Sequence, residues 1–293
     1  MRARSGRVTS DDVARHYDEL DRFYRELWGE HLHHGLFESR RDDPREAAVR
    51  MVSLVAERAC LAPGQEVCDV GCGYGATARE LAERWGVQVT GLTLSGVQAR
   101  RARDAAPEGA SLRFIQGDWL ANDFGDESFD AVIAVESLAH MPDRGRFFRE
   151  AARVLRPGGR LVVCAWLAGE KVGPVGRRFL LEPICREGAL PGMPTESECR
   201  TYLEASGFQE IRVEDLSRAV RRSWTVGARR LLGAVLRDPA YRAALRDRSL
   251  VNRRFALTVF RIRMAYALGV MRYGVFSARR SRYPAAGADG RDR

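Results

Sequence analysis

A glycine-rich stretch early in the chain has the residue types and spacing of a nucleotide-binding loop. It reads Asp69-Val70-Gly71-Cys72-Gly73-Tyr74-Gly75 and continues into Ala76, which satisfies the Gly-x-Gly-x-x-(Gly/Ala) pattern of dinucleotide sites. Asp69 argues against a pyrophosphate, because like charges would repel each other, and it favours a ligand with an ammonium or sulfonium group. The alternative is that Asp69 caps the helix that follows.

The position that usually holds a ribose-binding acid lacks one in this chain. About twenty residues after the glycines a dinucleotide site has an Asp or Glu, and here the residue is Thr93, followed by Gln98. The missing acid weakens the hypothesis of an NAD site. An NADP site built on Arg100 or Arg101 is also disfavoured, because it would still bring phosphate close to Asp69. A ribose would have to be held by neutral groups, namely the Thr93 hydroxyl, nearby backbone and Gln98.

A second acid, Asp118, follows the predicted strand Ser111-Leu112-Arg113-Phe114-Ile115-Gln116. The carboxyl ends of parallel strands line the ligand crevice of a doubly wound sheet. Asp118 could therefore accept a hydrogen bond from an exocyclic amine such as that of adenine, and Trp119 could cover the adenine face. The alternative is an aspartate that caps a helix beside a core tryptophan.

Two titratable residues, Glu136 and His140, lie four apart after another predicted strand. They would share a face if the intervening turn were helical. Imidazole titrates near neutral pH, so His140 is the best candidate for a general base. The alternative is a helix-end histidine that is bonded only to backbone.

The histidine-rich segment His31-Leu32-His33-His34 invites a metal site. No cysteine or close set of carboxylates accompanies it, so no metal is predicted. We interpret the histidines as residues of a loop that could close over the site. Cys68 and Cys72 straddle the end of a predicted strand and are interpreted as packing residues.

Alternating strand and helix patterns must position these residues. Strands are predicted at 65–70, 87–93, 111–116, 129–135, 160–166, 209–215 and 273–280, and helices at 11–29, 44–60, 76–85, 96–106, 144–154 and 195–206. This alternation is typical of an α/β fold with a doubly wound parallel sheet. A helical region over 218–271 would lie at one end of the sheet and could cap a ligand crevice.

Composition limits the classes of protein that fit this chain. It has 293 residues, of which 45% are hydrophobic, enough to bury a core. No apolar run reaches the ~18 residues of a membrane span, no secretory signal is evident, and the six scattered cysteines suit a reducing cytoplasm. From Ser217 to Arg293 there are nineteen arginines and four aspartates, a charge of +15, so the remainder carries −6. A basic segment of this kind attracts anionic surfaces.

Several of these motifs resemble those of the class I S-adenosylmethionine-dependent methyltransferases. The segments that carry the resemblance are VCDVGCGYG, QGDW, FDAVIAVESLAHMPD and LRPGGRLVVCAW. A narrower resemblance links YDELDRFYRELWGEHLHHGLFE, GLTLSGVQARRA and ALGVMRYGVFSARR to the tocopherol O-methyltransferase-like group. Sterol and natural-product methyltransferases and cyclopropane fatty acid synthases share parts of it. The resemblance implies that Thr93, in place of the expected acid, is typical of this subgroup and does not indicate loss of the site.

The resemblance implies an architecture. It is a Rossmann-like methyltransferase sheet of seven strands, the last one antiparallel, with N-terminal helices and a helical C-terminal cap. The implied division comprises an N-terminal lid (1–60), an S-adenosylmethionine-binding core (61–217), an acceptor-binding cap (218–271), a final core strand (272–280) and a disordered tail (281–293).

The resemblance also implies the site residues. Glu136 and His140 would lie between donor and acceptor as the catalytic pair. The residues implied to hold S-adenosylmethionine are Tyr17, Asp69, Gly71, Gly73, Thr93, Gln98, Asp118, Trp119 and Glu136. The implied activity is methylation of a small, largely apolar acceptor, with a phenol or quinol oxygen preferred. C- or N-methylation of a lipid, sterol or amine-bearing metabolite, and a non-catalytic nucleotide-binding protein, are the alternatives.

The basic C-terminal helix leaves two interpretations open for the location of the protein. An apolar stripe flanked by Arg253, Arg254, Arg261 and Arg263 comprises Phe255, Val259, Ile262, Tyr266 and Val270. The stripe could belong to a cap that contacts anionic lipid, or to a helix that faces the core and exposes a basic side. No RNA-binding motif accompanies the charge, so no nucleic-acid partner is expected. We predict a cytoplasmic protein, with peripheral membrane contact under the first interpretation.

Overall fold

The computed structural model describes residues 8–246 and 252–282, apart from the side chains of 244–257. Seven strands form one sheet in the order β3-β2-β1-β4-β5-β7-β6. Their bounds are β1 Glu66–Val70, β2 Gln88–Thr93, β3 Leu112–Gln116, β4 Phe129–Val135, β5 Leu155–Ala168, β6 Phe208–Asp215 and β7 Met271–Arg280. The first five strands are parallel, while β7 runs antiparallel to both β5 and β6. The predicted seven-stranded sheet with an antiparallel last strand is confirmed.

Helices cover both faces of the sheet and one of its ends. They are α1 Ser10–Leu27, α2 Pro44–Arg58, α3 Ala76–Trp85, α4 Gly96–Asp104, α5 Arg144–Val154, α6 Pro174–Gly176, α7 Glu182–Glu187, α8 Glu196–Ala205, α9 Ser217–Val220, α10 Arg222–Arg237, α11 Pro239–Arg246 and α12 Asn252–Ala267. α8 begins with a capping box, in which the Thr195 hydroxyl accepts from the Glu198 amide and the Glu198 carboxylate accepts from the Thr195 amide. Asp43 caps α2 ahead of Pro44, because its carboxylate accepts from the amides of Arg45 and Glu46.

The sheet separates two apolar clusters, as expected when helices pack on both faces. One cluster contains Phe147 and Phe148 of α5 and Leu203 of α8. The other contains Met51 of α2 and Ile262 of α12, so the C-terminal helices share a core with the N-terminal ones. Among the described residues, no helix has both the length and the apolar character needed to cross a bilayer.

Three features differ from the sequence-based expectation. The region predicted as one helical cap over 218–271 is divided into α9, α10, α11 and α12. A helical segment over 174–187, with a π-helical turn at Arg177–Leu181 between α6 and α7, was not predicted. Its amphipathic pattern is short and interrupted by Pro183, which hides the helical period. β5 is also longer than the predicted strand at 160–166, because it begins at Leu155 and ends at Ala168.

The apolar stripe of α12 faces the core where its side chains are described. Val259, Ile262 and Tyr266 are buried, and Val270 is half-buried just beyond the helix end. The side chains of Phe255, Arg253 and Arg254 and the tail from 283 to 293 lie outside the described residues, so the predicted disorder of the tail stays a prediction.

Candidate active site

A cavity of about 150 Å³ opens where the carboxyl ends of β1, β2 and β4 meet beneath α1 and α12. All ten predicted site residues, from Tyr17 to His140, line it. The α/β topology explains this convergence, because parallel strands end at one edge and their following loops face one crevice. Lining the cavity does not assign a role to any of the ten residues, so each role remains a prediction.

The glycine loop after β1 is shaped by its neighbours. Gly71 has a φ of +82°, and a Cβ there would collide with Ser137, whose hydroxyl donates to the Val70 carbonyl. Gly73 has a φ of +55°, a conformation that favours glycine, and a Cβ there would lie in ordinary contact with Leu32 at 3.5 Å. Gly75 begins α3, and no side chain caps that helix. The alternative role of Asp69 as the cap of α3 is therefore wrong.

Asp69 is a buried carboxylate without a local partner. It is 1% exposed, and its Oδ2 atom has no hydrogen bond within the described residues. Burial raises the pKa of Asp69 to about 7, since no nearby cation stabilises the ionised form. An unpartnered buried carboxylate at the end of β1 fits a cationic ligand and opposes a pyrophosphate.

The end of β2 offers neutral groups to a ligand, as the sequence suggested. The Thr93 hydroxyl donates to the Gln98 side-chain oxygen at 2.7 Å, and both residues are buried. Sequence reasoning missed Asp18, whose carboxylate accepts a hydrogen bond from the hydroxyl of Ser95, the cap of α4. An acid therefore does approach this strand end, but it comes from α1 and could not be found by counting residues from the glycines.

Asp118 and Trp119 are more engaged in the fold than the adenine hypothesis assumes. The Asp118 carboxylate accepts from the Leu120 amide at 2.8 Å and from the Ser10 hydroxyl at 2.6 Å. The Trp119 side chain is 2% exposed, and its indole N–H donates to the Phe147 carbonyl at 3.2 Å. The capping and core interpretations are thus realised for both residues, and contact with adenine stays a prediction.

Glu136 stands at the centre of a buried hydrogen-bond network. The residue has a φ of +65° and lies before the short 3-10 turn Leu138–His140, so it does not share a helical face with His140. Its carboxylate accepts from the amide and the Nδ1–H of His34, the Trp166 indole and the Tyr273 hydroxyl, at 2.6 to 2.9 Å. His34 in turn accepts from the Trp224 indole.

This network decides the protonation state of Glu136. Burial by itself would raise the pKa of this carboxyl, but the attraction and hydrogen bonds of His34 lower the pKa to about 2. A carboxylate with such a pKa and four donors is a poor proton acceptor at neutral pH. The structure therefore disfavours Glu136 as a base and assigns it the anchoring of the His34 loop and of Trp166 beside the cavity.

We expect loss of the His34 ring to destabilise the protein strongly. His34→Ala removes one donor from buried Glu136 and the only acceptor shown for the Trp224 indole, so the free energy of unfolding should fall by about 3 kcal/mol. Denaturation in urea measures this change. Tyr273→Phe removes a single donor and should cost about 1 kcal/mol. Equal losses for the two variants would contradict a central role for His34.

Tyr17 and His140 form a hydrogen-bonded pair inside the cavity. The Tyr17 hydroxyl lies 2.9 Å from His140 Nε2, and His140 Nδ1 lies 3.4 Å from the Ala189 carbonyl. The carbonyl requires a proton on Nδ1, so Nε2 is the acceptor in the neutral ring. Burial lowers the pKa of His140 to about 4, against smaller opposing effects of Ala189 and Glu136. The ring is neutral at physiological pH and presents a lone pair to the cavity.

His31 and His33, the other histidines of the 31–34 segment, are engaged in hydrogen bonds within that segment. His33 Nδ1 lies 3.0 Å from the His34 carbonyl, and His31 Nδ1 lies 3.1 Å from His33 Nε2. The described part of the chain has no group of three His, Cys, Asp or Glu placed to hold a metal ion. Cys68 and Cys72 are free and buried.

Comparison with known proteins agrees with this geometry. Residues 68–163 match the family profile described as a methyltransferase domain. The chain is 30% identical to the chloroplastic tocopherol O-methyltransferase of Arabidopsis thaliana, with 92% of this chain and 81% of that protein covered. It is 35% identical to the 27-O-demethylrifamycin SV methyltransferase of Amycolatopsis mediterranei (strain S699), over 79% of this chain and 85% of that one.

The chain belongs to the class I S-adenosylmethionine-dependent methyltransferases. The resemblance found in its motifs is thereby confirmed, and this methyltransferase is of the small-molecule type. The non-catalytic alternative is set aside.

A solved structure shows how much of the fold is shared. The crystal structure of the [4+2]-cyclase SpnF superposes with a TM-score of 0.77 at 30% identity, covering 93% of this methyltransferase and 96% of that chain. Its name describes a cyclase. Likeness in fold therefore leaves the reaction at the acceptor to be argued from residues in the cavity.

The cavity fits S-adenosylmethionine, the methyl donor of this methyltransferase. The Asp69 carboxylate, whose Oδ2 atom lacks a partner within the described residues, suits the positive charge of the donor's methionine portion, and Gly73 presents backbone without a side chain to the cavity. Thr93 and Gln98 offer neutral groups to a ribose. When bound, the donor supplies a methyl group on a sulfonium, which is a good leaving group.

Proposed function

We propose that this methyltransferase transfers the methyl group to an oxygen of a small, largely apolar phenol or quinol. The observation that supports this most is the Tyr17–His140 pair, because a neutral imidazole with an accepting Nε2 stands in the cavity that would hold both substrates. If the acceptor's hydroxyl took the place of the Tyr17 hydroxyl, His140 Nε2 would both hold that hydroxyl and accept its proton.

The proton balance of this reaction needs only one base. As the acceptor oxygen forms its bond to the methyl carbon, its proton passes to His140 Nε2, and the carbon–sulfur bond breaks to leave a neutral thioether. His140 Nδ1 keeps its hydrogen bond to the Ala189 carbonyl, which supports the imidazolium. The chain contributes alignment of the oxygen near 3 Å from the methyl and acceptance of this proton.

The rest of the cavity suits an apolar ring. Ile184 of α7, Leu190 in the loop after it and Ile262 of α12 line it, and Trp166 and Trp224 add aromatic surface. Apolar walls with a few polar groups are typical of sites for small organic ligands. The names of the two relatives above both describe enzymes that methylate small molecules, which supports the same class here.

A second candidate is methylation at carbon. Trp224 makes edge contacts with Trp28 and Trp166, with ring centroids 5.1 Å and 5.6 Å apart, and all three residues line the cavity. Aromatic faces stabilise positive charge, such as that which develops on an alkene or an aromatic ring during C-methylation. N-methylation of an amine would use His140 in the same way as O-methylation does.

The experiment compares hydroquinones with their methyl ethers. The protein is incubated with S-adenosylmethionine carrying a trideuteromethyl group, and the position of the label in the product is read by mass spectrometry and NMR. O-methylation predicts label on oxygen for a free hydroxyl and no product from the fully etherified analogue. Label on ring carbon in both compounds would overturn the proposal in favour of C-methylation.

A further inference from the structure

The large hydrophobic side chains that are exposed in the described part of the chain lie on one group of helical segments. Seven large hydrophobic side chains are exposed among the described residues, and every one lies on α6, the π-helical turn, α10, α12 or the residue after α12. They are Val175, Phe179, Leu232, Leu236, Phe260, Met264 and Leu268. α10 packs against α12, and the π-helical turn packs against α12 as well. We call the exposed side of these elements the cap surface.

Helix α12 has one side toward the cavity and another toward solvent. Thr258 and Ile262 line the cavity, whereas Phe260, Met264 and Leu268 recur every four residues on the outer side. Phe260 is 63% exposed and Met264 is 53% exposed, although both are large apolar residues. One helix therefore separates the acceptor cavity from the cap surface.

The charge of the cap surface is positive. The segments 174–187, 222–237 and 258–267, whose side chains are described, contain nine arginines and two glutamates. One of those acids, Glu187, is buried and paired with Arg261, so it does not reduce the positive charge at the surface. Arg177 and Arg178 are exposed beside Phe179, and Arg263 is exposed beside Met264.

We propose that the cap surface docks on an anionic lipid bilayer. Exposed apolar side chains interleaved with arginines are the composition of helices that lie in the membrane interface, with the apolar groups inserted and the cations at the headgroups. Charge complementarity favours anionic lipid over a second copy of the chain, because two copies would bring like charges together. Docking is independent of which acceptor the enzyme uses. Only the further step, in which an acceptor dissolved in the bilayer passes α12 into the cavity, rests on the proposed function.

Vesicle flotation tests the contribution of charge. The full-length protein is mixed with phosphatidylcholine vesicles, with or without phosphatidylglycerol, and we expect it to float only with the anionic vesicles. Arg177→Gln/Arg178→Gln should lower the partition coefficient about fivefold for each arginine removed. The matched control is Arg146→Gln/Arg149→Gln on α5, which lies on the other face of the sheet and loses the same charge. An equal effect of the two pairs would overturn the proposal.

Removal of apolar side chains tests insertion. Phe260→Ser/Met264→Ser should lower partitioning about tenfold or more, while affinity for S-adenosylmethionine stays unchanged and shows that the variant is folded. Sedimentation velocity tests whether a second copy of the chain, rather than lipid, covers the cap surface. A wild-type dimer that dissociates in this variant, with no flotation of either protein, would assign the surface to a second copy and overturn lipid docking.

Failure of this proposal differs from failure of the proposed function. Protein that floats but places the methyl label on carbon keeps the docking and loses the oxygen acceptor. Protein that does not float but methylates phenols in solution does the reverse.

Discussion

Replacement of Asp69 by alanine is expected to abolish measurable binding of S-adenosylmethionine. The carboxylate is 1% exposed and lacks a partner at Oδ2, so the ligand's positive charge would have this anion as its buried counter-charge at the end of β1. Loss of one member of a buried charged pair costs about 2–5 kcal/mol, which is roughly 30-fold to more than 1,000-fold in the dissociation constant. Isothermal titration calorimetry measures this loss.

Asp69→Asn is the matched control, because it keeps the shape and removes only the charge. If the Asp69→Asn variant bound the donor nearly as well as the wild type, the charge argument would be wrong, and the glycine loop would have to supply the affinity.

The affinity for the donor should also depend on pH through Asp69. Burial raises the pKa of this carboxyl to about 7 in the ligand-free protein, and only the ionised form attracts a cation. Below pH 7 the proton must leave before the donor binds, so affinity should fall up to about tenfold per pH unit as pH decreases. The Asp69→Asn variant should bind weakly with no such dependence in this range.

The raised pKa of Asp69 also makes the stability of the ligand-free protein depend on pH. Stability falls as pH rises, whereas affinity for the donor increases. Asp69 binds its proton more tightly in the folded protein, with a pKa of about 7, than in the unfolded chain, where the reference value is 3.8. Its contribution to stability is therefore present below about pH 4 and is lost as pH rises through 7, by about 4 kcal/mol.

Asp69→Asn should thus make the ligand-free protein more stable than wild type at pH 8, although it loses the donor. Thermal denaturation of both proteins at pH 5 and pH 8 measures the difference. A stability difference between wild type and the Asp69→Asn variant that is the same at the two pH values would contradict an unpaired, buried carboxyl.

Replacement of His140 by alanine is expected to reduce kcat about 10²- to 10⁴-fold, with affinity for the donor retained. The ring supplies the accepting Nε2 of the Tyr17–His140 pair, which the acceptor hydroxyl would take over from Tyr17. Glu136 does not replace it, because its pKa is lowered to about 2 and its oxygens are occupied by four donors. Single-turnover assays with saturating donor isolate this effect from binding.

Two controls separate a base from a spacer in this experiment. Imidazole added to His140→Ala should restore part of the activity, because a soluble base can enter the space left by the ring. Tyr17→Phe should keep more activity than His140→Ala, since it frees Nε2 for the acceptor hydroxyl. Full activity of His140→Ala, or loss of donor binding without a change in kcat, would remove His140 as the base.

The pH profile gives a further check with a defined sign. Burial lowers the pKa of His140 to about 4, and the base must be unprotonated to work. With the donor saturating, kcat of the wild type should decline only as pH falls toward 4, whereas His140→Ala should lack that decline. An acidic limb near pH 6.5 would show that the ring is hydrated rather than buried during turnover.

The sequence by itself determined the framework and the location of the site. Strand and helix periods are local, and loops that follow parallel strands must converge at one edge, so Asp69, Thr93, Asp118 and His140 could be assigned to one crevice before any coordinates. The seven strands with an antiparallel last one and the methyl donor followed from a resemblance carried by motifs that span much of the chain, whereas the order of the strands came from the structure.

The tertiary structure alone decided what each side chain does there. Hydrogen-bond partners come from residues far apart in the chain, such as Glu136 with His34 and Tyr273, and no local pattern encodes such pairs. Those partners occupy the carboxylate of Glu136, which the sequence placed in a catalytic pair, and Tyr17 and Ala189 leave His140 with an accepting Nε2. The pKa values follow the same rule, because they depend on burial and on charges within a few ångströms in space rather than on neighbours in sequence.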